Sequence, residues 1–177
     1  MEEYELDTEV AGTQIELLMS YCRSFAYYRG IRANVKHDGA NTNFWRHINN
    51  VCIGNCLIEW CKIFGSYNNE SHWKHTFTNY PGIVEIISSN NVRISQNHDL
   101  VWEEYHSEMR TFRDTHIAHR NTEILAPVPH LDCSFDIASE YYTFVLRGIG
   151  NPASNFEQLL EDFTNEVLYY LEKPGCT

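Results

Sequence analysis

The stretch from residue 97 to residue 121, NHDLVWEEYHSEMRTFRDTHIAHRN, has the spacing of an amphipathic helix over residues 97–111. At about 100° per residue, one side of such a helix collects apolar side chains and the other collects charged and small polar ones. The apolar side holds Trp102, Tyr105, Met109 and Phe112. The polar side holds Glu103, Glu104, Ser107, Arg110, Thr111 and Asp114. This pattern predicts a helix that packs one face against a core.

The end of this predicted helix carries basic residues where the apolar side should continue. Extending the same ideal geometry to residue 120 places Arg113, His116, His119 and Arg120 on the apolar side. Burying unpaired charge costs free energy. The basic cluster therefore indicates a role beyond packing.

The rest of the chain has the spacing and end signals of further helices. We predict long helices over Thr8–Arg29, Asn43–Phe64, Asn97–His119, Phe135–Arg147 and Ala153–Glu172. Residues 29–41 are predicted as a connector, Ser71–Thr78 as a short helix capped by Ser71, and Gly82–Ser89 as helix in preference to strand. Helices joined by short connections predict an all-α fold, an antiparallel bundle of four to five main helices. A length of 177 residues suits a single domain, 1–177.

The overall charge limits the classes of partner. The chain has 24 acidic residues against 13 lysines and arginines, so a general polyanion-binding surface and DNA binding are not expected. Contact with nucleic acid would need a local basic site. The sequence has no apolar run of about 18 residues and no apolar core near its acidic start, so we expect no membrane contact, no signal peptide and a cytoplasmic location.

The six cysteines form no CxxC pair. Cys52 and Cys56 share a helix face and Cys61 lies nearly opposite, so these three cannot close a zinc site by themselves. We expect buried free thiols in a reducing compartment, and no cofactor.

The basic cluster at residues 113–120 has two non-catalytic interpretations. In the structural one, Arg113 pairs with an acidic residue of a neighbouring helix, while His116 and His119 are hydrogen-bonded and complement the helix dipole. In the metal one, His98 and His106 join the two later histidines on the same side. However, residues 98 and 116 are about 27 Å apart along a helix, and the nearby arginines would repel a cation. We therefore predict no metal site.

The third interpretation is catalytic. Arg113 offers a permanent cation for a phosphate, and His119 offers an imidazole that exchanges a proton near neutral pH. Metal-free RNA cleavage needs a base, an acid and a cation at the phosphorane. One arginine and one histidine are too few for these roles, but a symmetric dimer would double them.

These residues resemble a known family signature. FRDTHIAHR, residues 112–120, resembles the R-x(4–6)-H motif of HEPN domains, and most closely that of the bacterial abortive-infection type. Arg113 and His119 enclose five residues, and Asp114 matches the polar residue that usually follows the arginine. WCKIFGSYNNESHW, residues 60–73, is also similar to that group.

The resemblance implies a HEPN-like helical fold and a metal-independent endoribonuclease of a toxin or phage-defence type. It implies a homodimer with Arg113 as the phosphate clamp, His119 as the proton-transfer group, Asp114 as a third site residue, and His116 and Arg120 as accessory RNA-binding residues. The implied partners are RNA, such as a tRNA anticodon loop, and an antitoxin or regulatory protein. Asn121 replaces a tyrosine that some HEPN toxins have modified, so that form of regulation is not expected. The alternative is a non-catalytic HEPN module that binds a nucleotide, RNA or a protein.

Overall fold

Helices make up most of the part of the chain that the computed structural model describes, which is residues 5–35, 41–78, 102–118, 127–151 and 154–172. The α-helices are α1 (Thr8–Asn34), α2 (Thr42–Phe64), α3 (Trp102–Phe112), α4 (Leu131–Gly148) and α5 (Phe156–Leu171). Helix α3 continues as a π-helix over Arg113–Ala118. Two short strands, β1 (Glu5–Leu6) and β2 (Phe77–Thr78), pair antiparallel. The prediction of an all-α bundle is confirmed.

Helices α1, α2 and α3 follow one another in an antiparallel arrangement. The Cys56 thiol of α2 contacts the carbonyl of Tyr21 near the middle of α1. Further along α1, Ile31 shares a small apolar cluster with Ile48, which lies earlier in α2. Helix α3 also runs against α2, because His106 meets the end of α2 and Ile117 meets Gly54 in its middle.

Helices α4 and α5 cover other faces of α1. Helix α4 runs antiparallel to α1, since Tyr21 contacts Leu131 and Gln14 contacts Tyr141. Helix α5 runs parallel to α1, with Cys22 near Phe156 and Gly30 near Val167. Helix α1 is therefore the central element, which agrees with its many buried positions. Among the described helices, none is long and apolar enough to cross a membrane.

Large aromatic side chains fill the core. A buried network of hydrogen bonds connects the segment that follows α2 to this core. The largest fully buried side chains are Trp60, Tyr21, Tyr105, Tyr141, Phe25, Phe64 and Phe156. The amide oxygen of Gln14 accepts hydrogen bonds from the hydroxyls of Thr76 (2.6 Å) and Tyr141 (2.7 Å). The amide nitrogen of Gln14 donates to the carbonyl of Ser71 (3.0 Å). These bonds satisfy groups that would be costly to bury alone.

Helix α1 extends beyond its predicted end at Arg29 and takes in part of the predicted connector. It reaches Asn34, so Gly30 lies inside the helix. A Cβ at residue 30 would stand 2.5 Å from Cγ1 of Val167. Gly30 therefore allows α5 to approach α1 closely and does not end the helix.

The prediction of a helix over Ser71–Thr78 is wrong. The segment has a 3-10 turn at Trp73–His75, followed by β2. His72, not Ser71, caps the turn, because its Nδ1 accepts a hydrogen bond from the backbone N–H of Lys74 (3.2 Å). The Ser71 hydroxyl donates instead to the carbonyl of Lys62 (3.2 Å), which is an unpaired group in the last turn of α2.

The last two helices were predicted with shifted ends. Helix α4 begins at Leu131 rather than Phe135, because Leu131 and Cys133 are buried and hold the first turn against the core. Helix α5 begins at Phe156 rather than Ala153, after Asn155 accepts a hydrogen bond from the N–H of Glu157 (2.9 Å). The predicted helix at residues 82–89 and the start of the predicted third helix at residues 97–101 lie outside the described residues.

Candidate catalytic site on helix α3

The first part of α3 has the two faces that its sequence predicts. Tyr105 and Met109 are fully buried, and Trp102 and Phe112 are half-buried against the main core. The predicted polar residues of this helix are all exposed: Glu103, Glu104, Ser107, Arg110 and Thr111. The phenol of Tyr105 donates to the carbonyl of His130 (2.8 Å), which also ties α3 to the start of α4.

His106 has a structural position that the sequence analysis did not anticipate. Its Nε2 lies 2.7 Å from the carbonyl oxygen of Phe64 and 3.2 Å from that of Gly65. A ring N–H at this atom satisfies carbonyls that the end of α2 leaves unpaired. The ring also packs against Trp60 and Trp102. The predicted helix Asn43–Phe64 has the observed C-terminal residue, but the partner of the Gly65 carbonyl lies 41 residues away in the chain and has no local signal.

The π-helix at Arg113–Ala118 changes which side chains of this segment face the core. In an α-helix, a residue five positions after Phe112 would point about 140° away from it. In the structure, Phe112 and Ile117 both pack against the main core. The wider π turn thus places Ile117 at the position where α-helical geometry would place His116. Of the four basic residues predicted on the apolar side, Arg113 and His116 are half-buried, and His119 and Arg120 lie outside the described residues.

Ile117 packs over Gly54 of α2. Its Cδ1 atom lies 3.8 Å from the position that a Cβ at residue 54 would occupy, which is an ordinary van der Waals distance. This contact places the π turn against α2, and π turns of this kind are frequent at functional sites.

Arg113 and Asp114 form an ion pair on the π turn. The Nε of Arg113 donates to Oδ1 of Asp114 (2.8 Å), and Nη2 lies 2.6 Å from the same oxygen. The arginine side chain is 22% exposed and the aspartate side chain 51% exposed. The structural interpretation expected a partner on a neighbouring helix, but the partner is the next residue.

Cys61 of α2 lies beneath the arginine. Its thiol contacts the carbonyl of Met109 at 4.0 Å and interacts with the Arg113 guanidinium. Burial raises the pKa of the Cys61 thiol to about 11, although the nearby guanidinium acts in the opposite direction. The thiol is therefore protonated at neutral pH and is not a nucleophile there.

The structure brings part of the predicted site together. Arg113, Asp114 and His116 share one turn, and the His116 ring packs on Phe112 with 4.6 Å between ring centroids. His119 and Arg120, the proton-transfer and accessory residues of the prediction, lie outside the described residues, as do His98 and Asn121. Five residues of sequence separate the positioned arginine from the predicted histidine.

The described residues around this turn do not gather as metal ligands. Among the residues that the structure describes, no group of three or more His, Cys, Asp or Glu side chains has an arrangement that would hold a metal ion. Cys22, Cys52, Cys56, Cys61 and Cys133 are free and buried, as predicted. Burial raises the pKa of each of these thiols. Comparison of the chain with protein-family models, characterised proteins and solved structures finds no match.

Proposed function

We propose that this protein is a metal-independent endoribonuclease of a toxin or phage-defence type that acts in the cytoplasm as a homodimer. The observation that carries the proposal is the partly exposed Arg113 guanidinium, which Asp114 holds on a π turn. His119 follows six residues later in the sequence. An oriented guanidinium suits a phosphate, and a nearby imidazole suits proton transfer.

The reaction follows from the chemistry of these two groups. His119 accepts the proton of the ribose 2′-hydroxyl, and the 2′-oxygen forms a bond to phosphorus. The bond from phosphorus to the 5′-oxygen breaks, and a second His119 from the partner protomer protonates that leaving oxygen. Arg113 stabilises the added negative charge of the phosphorane. The products are a 2′,3′-cyclic phosphate and a 5′-hydroxyl.

Asp114 acts as a positioning residue in this proposal. It binds the Nε edge of Arg113 and so fixes the direction of the guanidinium. It also offsets one positive charge until a phosphate binds. His116 and Arg120 are accessory contacts to RNA, and Asp114 takes no part in proton transfer.

A single-stranded loop is the substrate that best fits an acidic protein with one local basic site. The net charge of −11 opposes binding along a long duplex. A loop presents unstacked bases and one accessible phosphate to a compact site. We therefore propose an exposed RNA loop, such as a tRNA anticodon loop, as the substrate.

Cleavage in EDTA tests this proposal. Wild type, His119→Ala and a matched control, His47→Ala, are each incubated with total RNA and with a tRNA pool. His47 is an exposed histidine on α2. We expect the wild type and His47→Ala to leave 2′,3′-cyclic phosphate ends, and His119→Ala to lose cleavage by at least 100-fold.

Two outcomes would overturn the nuclease proposal. Equal cleavage by His119→Ala would remove the histidine from the reaction. Absence of cleavage by the wild type, together with RNA binding that Arg113→Ala abolishes, would establish the non-catalytic binding module instead.

A further inference from the structure

A second feature of the molecule is a cavity of about 580 Å³ between α1, α2 and the start of α4. Its polar lining includes Arg32 and Tyr28 from α1, Asn49 from α2 and Asp132 from α4. Ile53 and Pro129 contribute apolar walls. This volume is within the range of sites that bind small molecules.

Two exposed side chains of opposite charge, Arg32 and Asp132, line the cavity. Within the described part of the chain, no ion pair involves Arg32 or Asp132. The Arg32 guanidinium instead donates to the phenol oxygen of Tyr28 (2.5 Å) and lies over its ring. That contact orients the cation without offsetting its charge. A guanidinium and a carboxylate therefore face one space from two different helices.

The carboxylate of Asp132 determines which group the other end of a ligand should carry. Asp132 lies in the first turn of α4 and lines the cavity together with Arg32 of α1. A carboxylate at this place favours a ligand with a charged amino group. Asn49 of α2 also lines the cavity, but its Oδ1 is shielded from solvent and has no hydrogen-bond partner among the described residues, so it is not open to a ligand.

We propose that this cavity binds a small zwitterion, namely an α-amino acid with a large apolar side chain. The ligand carboxylate binds the Arg32 guanidinium, and its ammonium group binds the Asp132 carboxylate. Its side chain lies against Ile53 and Pro129. This site uses none of the residues assigned to RNA cleavage, so it does not depend on the proposed function.

Isothermal titration calorimetry without RNA tests the site. The probes are L-phenylalanine, its amide, which lacks the carboxylate, 3-phenylpropionate, which lacks the amine, and adenosine monophosphate. We expect L-phenylalanine to bind and each of the other three to bind at least tenfold more weakly, because each loses a charge-assisted contact.

Matched variants locate the binding. Arg32→Ala and Asp132→Asn should each weaken L-phenylalanine binding at least tenfold. Arg29→Ala should leave it unchanged, because Arg29 lies on the same helix but packs over Phe25 outside the cavity. Circular dichroism of each variant shows whether it retains the fold.

Three results would overturn the proposal. These are no binding of L-phenylalanine to the wild type, equal binding of 3-phenylpropionate, or stronger binding of adenosine monophosphate. Loss of binding in Arg29→Ala to the same extent as in Arg32→Ala would also contradict the assigned location.

Discussion

The two parts of the third helix contrast within a single run of 17 residues. Trp102–Phe112 is a regular α-helix whose buried side is held by Tyr105, Met109 and the contact of His106 with the end of α2. Arg113–Ala118 is a π-helix with no residue in the fully buried class among those whose exposure is described. The first part serves stability, and the second presents charged side chains at the border of the core.

The contrast shows where helical periodicity is informative. In the first part, every third or fourth residue is apolar, and the structure follows that spacing. In the second, one extra residue per turn moves Ile117 onto the core and leaves Arg113 beside it. The same helix thus packs against the core in its first part and presents partly exposed charged side chains in its second.

The largest expected effect concerns stability in the first part. Met109→Ala removes a fully buried side chain, so we expect it to lower the free energy of unfolding by about 2–5 kcal/mol. Ile117→Ala in the π turn should cost about half as much, because Ile117 is only partly buried. Urea denaturation measures both. Equal losses would show that the π turn is packed as firmly as the regular helix.

The next effect concerns activity in the second part. Arg113→Ala should reduce RNA cleavage by about 100-fold, because it removes the phosphorane contact. It should lower the free energy of unfolding by less than about 1 kcal/mol, since the partner, Asp114, is half exposed. Cleavage rates and urea midpoints give the two quantities.

The matched control for this variant is Arg110→Ala, which changes an exposed arginine of the regular part. We expect near wild-type values for both quantities. A loss of about 3–5 kcal/mol in Arg113→Ala would indicate a buried structural ion pair and would reverse the assigned roles of the two parts.

The smallest effect is a dependence of stability on pH, which arises at His72 before the 3-10 turn that follows α2. Burial lowers the pKa of His72 to about 4 from its usual 6.5, with smaller contributions from Lys74, His75 and His106. The unfolded chain therefore binds more protons between these values, and stability decreases as pH falls from 6.5 towards 4. The decrease should be about 2 kcal/mol.

His72→Gln should remove this part of the pH dependence in urea denaturation between pH 4 and 7, whereas His75→Gln should retain it. Protonation of His72 also removes the acceptor for the N–H of Lys74, so the 3-10 turn should loosen first. An unchanged slope in His72→Gln would assign the pH dependence to other groups.

The sequence predicts well those features that depend on local spacing. The all-α class, the bounds of α2, the two faces of residues 102–112 and the burial of five cysteines all follow from periodicity and composition. In each case, neighbours within a few turns determine the structure. Arg113 was chosen as a candidate because it interrupts such a pattern.

Features that depend on distant contacts were not predicted. Gly30 remains helical because Val167 packs against it, and His106 meets Phe64 and Gly65 across the α2–α3 interface. Ile117 of the π turn packs over Gly54 of α2. None of these partners is near in sequence. From residue type alone, Gly30 suggested the end of a helix, His106 suggested a metal ligand, and residues 113–118 suggested a regular helix.

The buried thiols provide built-in probes of local opening. Because each described cysteine is shielded and its thiol protonated, an alkylating reagent can modify it only after the surrounding helices separate. Cys61 would report separation of α3 from α2, and Cys22 separation of α5 from α1. Site-resolved mass spectrometry of the unmodified protein would then rank these two interfaces by their opening rates in one sample.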